Sequence, residues 1–242
     1  MISLYAEKSW KSIHLSRSVI PVLNLTIFHY HLLPGGVTGV ISAAGSIAIS
    51  SVKGLRRLRL VCGRQDNAES VADSIREASF GSVPVELVIH PEIDYLSQIP
   101  ERHRSGLSQE IEEILGDLSD PEELWWVHNH HIGKNPPFTD TLLRFARARP
   151  KQRIVLQIHD FPESGRYANL AAISQGVADP LYPVLENLRY VVLNNRDYSV
   201  LTAAGIPESV LSVLPNPVRM DGLRPPEGPG EDRSGVVEGR AA

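Results

Sequence analysis

Two adjacent glycines, Gly35 and Gly36, follow an apolar segment that ends at Phe28, and a run with helical character starts at Val37. Glycine has no side chain and lets the backbone approach a ligand closely. The first turn of a helix adds unpaired N–H groups and a partial positive charge, which suit a phosphate. The spacing up to Gly39 matches neither the dinucleotide fingerprint nor a nucleoside triphosphate loop. The pair predicts a phosphate- or sugar-binding turn, although a purely structural turn fits the same residues.

Six of the nine histidines fall into three groups, each at the predicted carboxyl end of a strand. They are His29 and His31, then His128, His130 and His131, and finally His159. In an open parallel sheet, ligands bind at that edge. Strand alternation predicts that His128 and His130 share one face and that His131 lies on the other.

Three interpretations of these histidines stay open. Neutral imidazoles can donate and accept hydrogen bonds to sugar hydroxyls and phosphates. The pair His29 and His31 also fits a metal-dependent hydrolase, but such enzymes need an eight-stranded barrel that is typically longer than this chain. In the third interpretation, the side chains only satisfy backbone groups at strand ends. His159 is the best single candidate for chemistry, because it leaves an apolar strand directly and Asp160 follows it.

Apolar and helical segments alternate along the chain and provide the elements that must position these residues. We expect strands near residues 22–30, 57–62, 83–90, 123–129, 152–158, 189–194 and 210–214. We expect helices near residues 37–51, 67–79, 105–117, 138–148, 166–176 and 196–204. Several strands are apolar throughout, which is typical of a parallel sheet covered on both faces. The alternation predicts an α/β fold, a Rossmann-like, doubly wound, mostly parallel sheet of about seven strands.

Composition limits the class of protein. The chain has 242 residues, of which 42% are hydrophobic and 21% charged, and this balance suits a packed domain. The net charge of −4 argues against nucleic-acid binding. The single cysteine, Cys62, excludes an internal disulfide and is expected to be a buried thiol. The sequence shows neither a signal peptide nor an apolar run long enough to span a membrane, so we expect a cytoplasmic protein.

Four segments in order resemble the N-terminal domain of GT-B retaining glycosyltransferases, the group that includes glycogen synthases and bacterial mannosyltransferases (glycosyltransferase family four). The resemblance covers roughly residues 20–218. The segments are His31-Leu32-Leu33-Pro34-Gly35-Gly36-Val37, Val127-His128-Asn129-His130, Leu156-Gln157-Ile158-His159-Asp160, and the stretch from Val191-Val192-Leu193-Asn194 to Leu214-Pro215-Asn216-Pro217-Val218.

The resemblance implies transfer of a sugar from a nucleotide diphosphate to a hydroxyl acceptor, with retention and without a metal or another cofactor. Gly35 and Gly36 would approach the donor diphosphate, and His159 would contact the transferred sugar as the catalytic residue. The acceptor and sugar side would be formed by His128, Asn129, His130, Lys134, Asp160, Arg196 and Asn216. The loop around Asn216 departs from the family pattern Pro-Asn-Gly-Val-Asp, because Pro217 and Arg219 replace the glycine and the aspartate.

Members of this group carry a second domain with a Glu-x7-Glu pair that binds most of the nucleotide sugar. The one such pair here, Glu69 and Glu77, is expected on an exposed helix face. We therefore expect residues 1–19 to form an extension, residues 20–218 to form the acceptor-side domain, and residues 219–242 to form a flexible tail rich in glycine and proline. The chain would be inactive without a partner that supplies the second domain, as one half of a split enzyme or as a truncated product.

Two alternatives remain beside this half-enzyme. One is a noncatalytic module that binds a saccharide or a protein, and the other is the metal-dependent hydrolase. Nicotinamide-dependent oxidoreduction is disfavoured, because the dinucleotide fingerprint is missing. The face that would pack on a second domain is expected to leave apolar side chains exposed, which predicts self-association into a homo-oligomer.

Overall fold

A computed structural model of the protein describes residues 23–33, 35–78 and 81–217. The predicted N-terminal extension and C-terminal tail lie outside these residues. The described part contains seven strands: β1 (Leu23–Phe28), β2 (Leu55–Cys62), β3 (Val85–Ile89), β4 (Glu123–His128), β5 (Arg153–Ile158), β6 (Leu188–Val192) and β7 (Leu211–Val213).

Six α-helices connect or follow these strands. They are α1 (Gly36–Ser51), α2 (Ala68–Ala78), α3 (Leu107–Leu118), α4 (Pro136–Ala148), α5 (Tyr167–Gly176) and α6 (Asn195–Ala203). Short 3₁₀ turns at Pro91–Ile93, Leu96–Gln98 and Glu101–His103 shape the long connection between β3 and α3. Each predicted strand and helix is present, with ends displaced by one or two residues.

The strands form one sheet in the order β3-β2-β1-β4-β5-β6-β7, and all six neighbouring pairs are parallel. From β1 the chain builds outward through β2 and β3, and then returns to the other side of β1 with β4. This arrangement is a doubly wound α/β sheet with its switch point between β1 and β4. The predicted Rossmann-like fold class is confirmed.

Helices cover both faces of the sheet, as the continuously apolar strands predict. Trp125 belongs to the apolar cluster under α3 and α4, and the next residue, Trp126, belongs to the cluster under α1 and α2. A group of polar side chains interrupts the first face. The carboxylate of Glu123 is fully buried, accepts a hydrogen bond from the Thr26 hydroxyl at 2.7 Å, and lies 3.4 Å from a guanidinium nitrogen of Arg59.

Among the described residues, four large hydrophobic side chains are about half exposed or more: Ile47, Tyr167, Val184 and Val200. They lie on α1, on α5, in the segment before β6 and on α6. Self-association stays a prediction. Along the part of the chain that the structure describes, no helix is both long enough and apolar enough to cross a membrane.

Candidate functional site at the carboxyl edge of the sheet

The switch point places two loops opposite each other. The loop after β1 includes residues 29–33 and Gly35, and the loop after β4 contains residues 129–135. The crossovers from β1 and β4 leave toward opposite faces of the sheet, and in open α/β sheets the crevice outside such a switch point is where ligands bind. The residues that the sequence singles out at strand ends therefore meet at one edge.

Three histidines from different loops form a buried imidazole cluster. His128 Nδ1 lies 2.8 Å from His159 Nε2, and the two rings are stacked with centroids 5.1 Å apart. His29 lies within electrostatic range of both His128 and His159. Protonation of one of these rings therefore disfavours protonation of its neighbour. In all three residues, burial is the main cause that lowers the pKa. The pKa falls to about 4 for His29 and His159, so these side chains are neutral at physiological pH.

Backbone carbonyls fix the tautomers of two histidines. His29 Nδ1 lies 2.6 Å from the carbonyl oxygen of His31, and His131 Nε2 lies 2.8 Å from the carbonyl oxygen of Asp160. A carbonyl oxygen only accepts, so each of these ring nitrogens carries the proton. The other ring nitrogen, Nε2 of His29 and Nδ1 of His131, is therefore an acceptor.

Asn129 organises the loop after β4. Its backbone is in the left-handed region with φ of 54°, and its side-chain oxygen accepts a hydrogen bond from the backbone N–H of His159 at 2.8 Å. Strand alternation consequently ends at His128. The prediction that His128 and His130 share a face opposite His131 is wrong, because the rings of His130 and His131 lie only 5.0 Å apart, beside Leu181 and Tyr182.

The three site residues predicted at the end of β4 are all buried. His128, Asn129 and His130 are 2% exposed or less. Among the described residues, Nε2 of His128, Nδ1 of His131 and the hydroxyl of Tyr182 are buried without a hydrogen-bond partner. Burial lowers the pKa of His130 well below 6.5. These three buried residues lie beneath the accessible part of the site, and His159 is the more accessible imidazole.

The turn before α1 is open. Gly35 is exposed and has an extended backbone, with φ of 162° and ψ of 177°, and no side chain caps the first turn of the helix. A β-carbon at Gly35 would meet only the Leu33 carbonyl oxygen, at 3.9 Å. Neither backbone strain nor packing therefore requires glycine here. Gly36 is the first residue of α1, and the Thr38 hydroxyl donates to the Leu33 carbonyl, which ties the turn to the helix.

The remaining predicted residues lie along the same edge. The carboxylate of Asp160 forms a salt bridge with Arg166 at 3.0 Å, and Lys134 Nζ lies 5.1 Å above the Tyr95 ring. Arg196 is exposed in the first turn of α6. Asn216 is exposed after β7, and its side chain acts to raise the pKa of His159 against the larger effect of burial.

Sequence reasoning missed a second set of residues in the same loops. Arg64 Nε donates to the buried Asp94 carboxylate at 2.6 Å, and Tyr95 follows Asp94. Asn135 is fully buried; its side-chain oxygen caps α4 and its amide donates to the carbonyls of Glu92 and Asp94. An asparagine followed by proline is a helix-start signal and could have identified the cap, whereas the contact with the loop after β3 has no local signal.

Two further predictions concern residues away from this cluster. Cys62 is buried, as predicted, and burial raises the pKa of its thiol to about 11. Glu69 and Glu77 are exposed on α2, as predicted. Within the described residues, no group of three or more histidine, cysteine, aspartate or glutamate side chains is arranged to hold a metal ion.

A groove of about 420 Å³ lies at the opposite, amino-terminal edge of the sheet. Its lining includes Gly116, Ser119, Pro121 and the segment 148–152. It contains none of the candidate residues. The candidate residues lie instead at the carboxyl edge of the sheet, around the switch point.

Fold and site together define a doubly wound α/β protein with a candidate ligand site at its switch point. The chain is 30% identical over 197 residues to a mannosylglucosyl-3-phosphoglycerate synthase, a glycosyltransferase, from Petrotoga mobilis. The match covers 81% of this chain and 37% of the synthase, so the chain spans little more than a third of that relative. No family model matches the chain. A solved glucose-6-phosphate 1-dehydrogenase from Mycobacterium avium overlaps 70% of this chain and 35% of its own, with a TM-score of 0.38 and 14% identity.

Proposed function

We propose that this chain forms the acceptor-side domain of a retaining GT-B glycosyltransferase that uses a nucleotide-sugar donor. The observation that carries the proposal is the match of 197 residues to a glycosyltransferase, within a chain whose switch point combines an open glycine turn with a histidine from β5. A second domain, in the same polypeptide or in a partner subunit, would hold most of the nucleotide. The acceptor is a hydroxyl compound.

The glycine turn is suited to a diphosphate. Gly35 exposes bare backbone at the mouth of the crevice, and the first turn of α1 has no side-chain cap that would compete for its N–H groups. A side chain at Gly35 would project into the space that a ligand needs, although it would not disturb the protein's own packing. This absence of an internal reason for glycine supports close approach of a ligand to the backbone.

His159 is suited to contact the transferred sugar. Its low pKa keeps the imidazole neutral, so it acts through hydrogen bonds to hydroxyls rather than as a cation. The Asn129 side-chain oxygen accepts a hydrogen bond from the backbone N–H of His159. His128 Nδ1 lies within hydrogen-bond distance of His159 Nε2. These two buried side chains are positioning residues. The exposed side chain of Asn216 also acts on the imidazole of His159, so it lies where it could contact a hydroxyl bound there.

Saturation-transfer NMR on the purified chain with GDP-mannose and UDP-glucose tests the proposal. We expect the strongest saturation on sugar-ring protons and little on the base, because the base would contact the second domain. His159→Ala should weaken sugar binding by about tenfold, which corresponds to about 1.4 kcal/mol for one lost hydrogen bond. His159→Gln, which keeps a hydrogen-bonding amide, should lose less.

The matched control is His103→Ala. His103 is exposed on a 3₁₀ turn, so its removal should leave the sugar signals unchanged. Saturation that is strongest on the base, or no saturation of any donor by a folded chain, would contradict an acceptor-side domain. Sugar transfer by this chain alone would show that no second domain is needed.

A further inference from the structure

We propose that Lys134, Arg64 and Arg166 form a subsite around Tyr95 that binds an anionic group, a phosphate or a carboxylate, on the acceptor. This inference rests on the proposed function, because it assigns an acidic class of acceptor to the same crevice. Here we call these four residues the Tyr95 subsite.

The four residues come from four different loops at the carboxyl edge. Arg64 follows β2, Tyr95 follows β3, Lys134 follows β4, and Arg166 precedes α5 after β5. Backbone contacts fix the loops to one another, since the N–H of Leu96 donates to the carbonyl of Lys134 at 2.8 Å. Cations from separate loops are thereby held at one corner of the crevice.

The loop that carries Arg166 is fixed to the same corner. The Asn169 amide in the first turn of α5 donates to the carbonyl of Ile132 at 2.8 Å. Gly133 allows this contact, because its backbone lies directly against the Asn169 carbonyl and has a positive φ of 72°. The start of α5 and the residue before Lys134 are therefore in contact.

The Tyr95 ring is the centre of the subsite. Lys134 Nζ lies 5.1 Å from the ring centroid, and the His31 ring lies 4.7 Å away in an edge-on arrangement. The charges of Arg64 and Arg166 both act on the Tyr95 hydroxyl and oppose the effect of burial on its pKa. The ammonium of Lys134 thus contacts this half-buried ring, and two guanidinium groups act on its hydroxyl, which the charge of Asp94 also affects in the opposite direction.

Three carboxylates oppose the three cations of this corner, since the charge of Asp66 also acts on Arg64, but in the described part of the chain donors on two of the cations stay unpaired. Asp94 accepts from Arg64 Nε at 2.6 Å, and Asp160 accepts from a terminal nitrogen of Arg166 at 3.0 Å. Among the described residues, Lys134 forms no ion pair, and no bond engages the terminal nitrogens of Arg64. A guanidinium fork and an ammonium group with free donors suit a phosphate or carboxylate.

The subsite also lies at a useful place relative to His159. From Tyr95 a row of ring contacts runs through His31 to His29, whose rings are 5.6 Å apart, and the charge of His159 acts on His29. An acceptor anchored at Tyr95 by its acidic end would extend its hydroxyl toward the imidazole cluster. The structure thus separates an anchoring end of the crevice from a reacting end.

Calorimetric titration with four small probes tests the subsite. The probes are 3-phosphoglycerate, glycerol 3-phosphate, glycerate and glycerol, which carry both acidic groups, phosphate only, carboxylate only and no charge. We expect 3-phosphoglycerate to bind most tightly and glycerol not to bind. The two singly acidic probes show which acidic group the subsite prefers.

Lys134→Met is the main variant, because Lys134 has no ion-pair partner among the described residues and its loss leaves no buried charge. It should weaken 3-phosphoglycerate binding by at least about tenfold, the effect of one charge-assisted hydrogen bond. Arg166→Gln, which breaks only an exposed pair, should weaken binding less. Lys151→Met removes the same charge from an exposed position before β5, at the opposite edge of the sheet, and should have no effect.

Equal affinity of Lys134→Met and the unaltered chain would overturn the subsite, as would equal losses in Lys134→Met and Lys151→Met or no binding of any acidic probe at millimolar concentration. These outcomes do not depend on the donor. If the acidic probes bind through Lys134 but no nucleotide sugar shows saturation, the proposed function fails and the subsite stands. If sugar saturation depends on His159 but the acidic probes do not bind, the subsite alone fails.

Discussion

The histidines at this edge share one property: burial lowers the pKa and so favours the neutral imidazole. His29, His128, His130, His131 and His159 all have a lowered pKa, and desolvation is the largest cause in each. A neutral imidazole is either a donor or an acceptor at each nitrogen, so the backbone carbonyls that fix the tautomers also fix what each side chain can offer a ligand. The histidines of this site therefore act by hydrogen bonding rather than by charge.

The same burial predicts acid sensitivity. An unfolded histidine titrates near pH 6.5, whereas His29, His131 and His159 titrate near 4 in the folded chain, so the unfolded state binds more protons between these values. Stability should be constant above pH 7 and fall as the pH drops from 6.5 toward 4. Each fully buried imidazole would contribute up to about 3 kcal/mol of this loss. Urea unfolding at pH 7.5, 6.5, 5.5 and 4.5 measures it.

Two substitutions separate this effect from general acid damage. His131→Gln retains a donor for the Asp160 carbonyl and removes a titrating group, so the slope of stability against pH should fall by about one proton. His103→Gln replaces an exposed histidine and should leave the slope unchanged. A stability that stays flat from pH 7 to pH 5 would refute buried, neutral histidines.

At the scale of elements, the loops at the carboxyl edge are held by backbone conformations that few residues adopt. Asn129 and Gly133, in the same loop, both have a positive φ, and the Asn129 side chain reaches across to the N–H of His159. Tyr30 donates from below to the carbonyls of Asn129 and His130. The loop after β4 is thus a rigid part of the site, set between β1 and β5.

Gly133→Ala tests this rigidity. A β-carbon there would collide with the Asn169 carbonyl, and φ of 72° is unfavourable for alanine. We expect a loss of more than about 1 kcal/mol in the free energy of unfolding. Gly116→Ala is the matched control, since Gly116 lies within α3 and a β-carbon would have nothing within 4 Å. That variant should gain about 0.5–1 kcal/mol. Denaturant melts that rank the two variants in the opposite order would exclude the tight contact between Gly133 and α5.

At the scale of the whole molecule, the sheet is most deeply buried in its centre. β1 has neighbours on both sides, and its last four residues are buried, whereas β7 has three residues and, among the described strands, pairs with β6 alone. The imidazole cluster lies on the central strands β1, β4 and β5 or just beyond their ends. The candidate chemistry is therefore attached to the most stable part of the sheet.

Hydrogen exchange measures this gradient. Amides of β1, β4 and β5 should exchange most slowly, through global unfolding, whereas those of β7 and of the other edge strand, β3, should exchange first. Mass spectrometry of peptic fragments after timed labelling separates these strands. Exchange of β7 as slow as that of β1 would show that the edge is protected by contacts beyond the described residues.

The positions of the strand ends in the sequence predicted which residues gather at the carboxyl edge of the sheet. Gly35 and His159 stand directly after or soon after apolar strands, and a parallel sheet brings such ends to one edge. It could not predict the Tyr95 subsite, because Arg64, Tyr95 and Arg166 are separated by some thirty to seventy residues and each looks like an ordinary loop residue. Their proximity depends on how four loops pack.

Local patterns in the sequence by themselves determined the seven strands, the six helices, their alternation and the edge at which polar residues gather. These features depend on periodicity and on short-range signals that each segment carries alone. The tertiary structure decided which histidines pair, which are buried and which residues surround Tyr95. It did so because a single left-handed residue, Asn129, ends the strand alternation, and because desolvation and ring contacts arise only when distant loops meet.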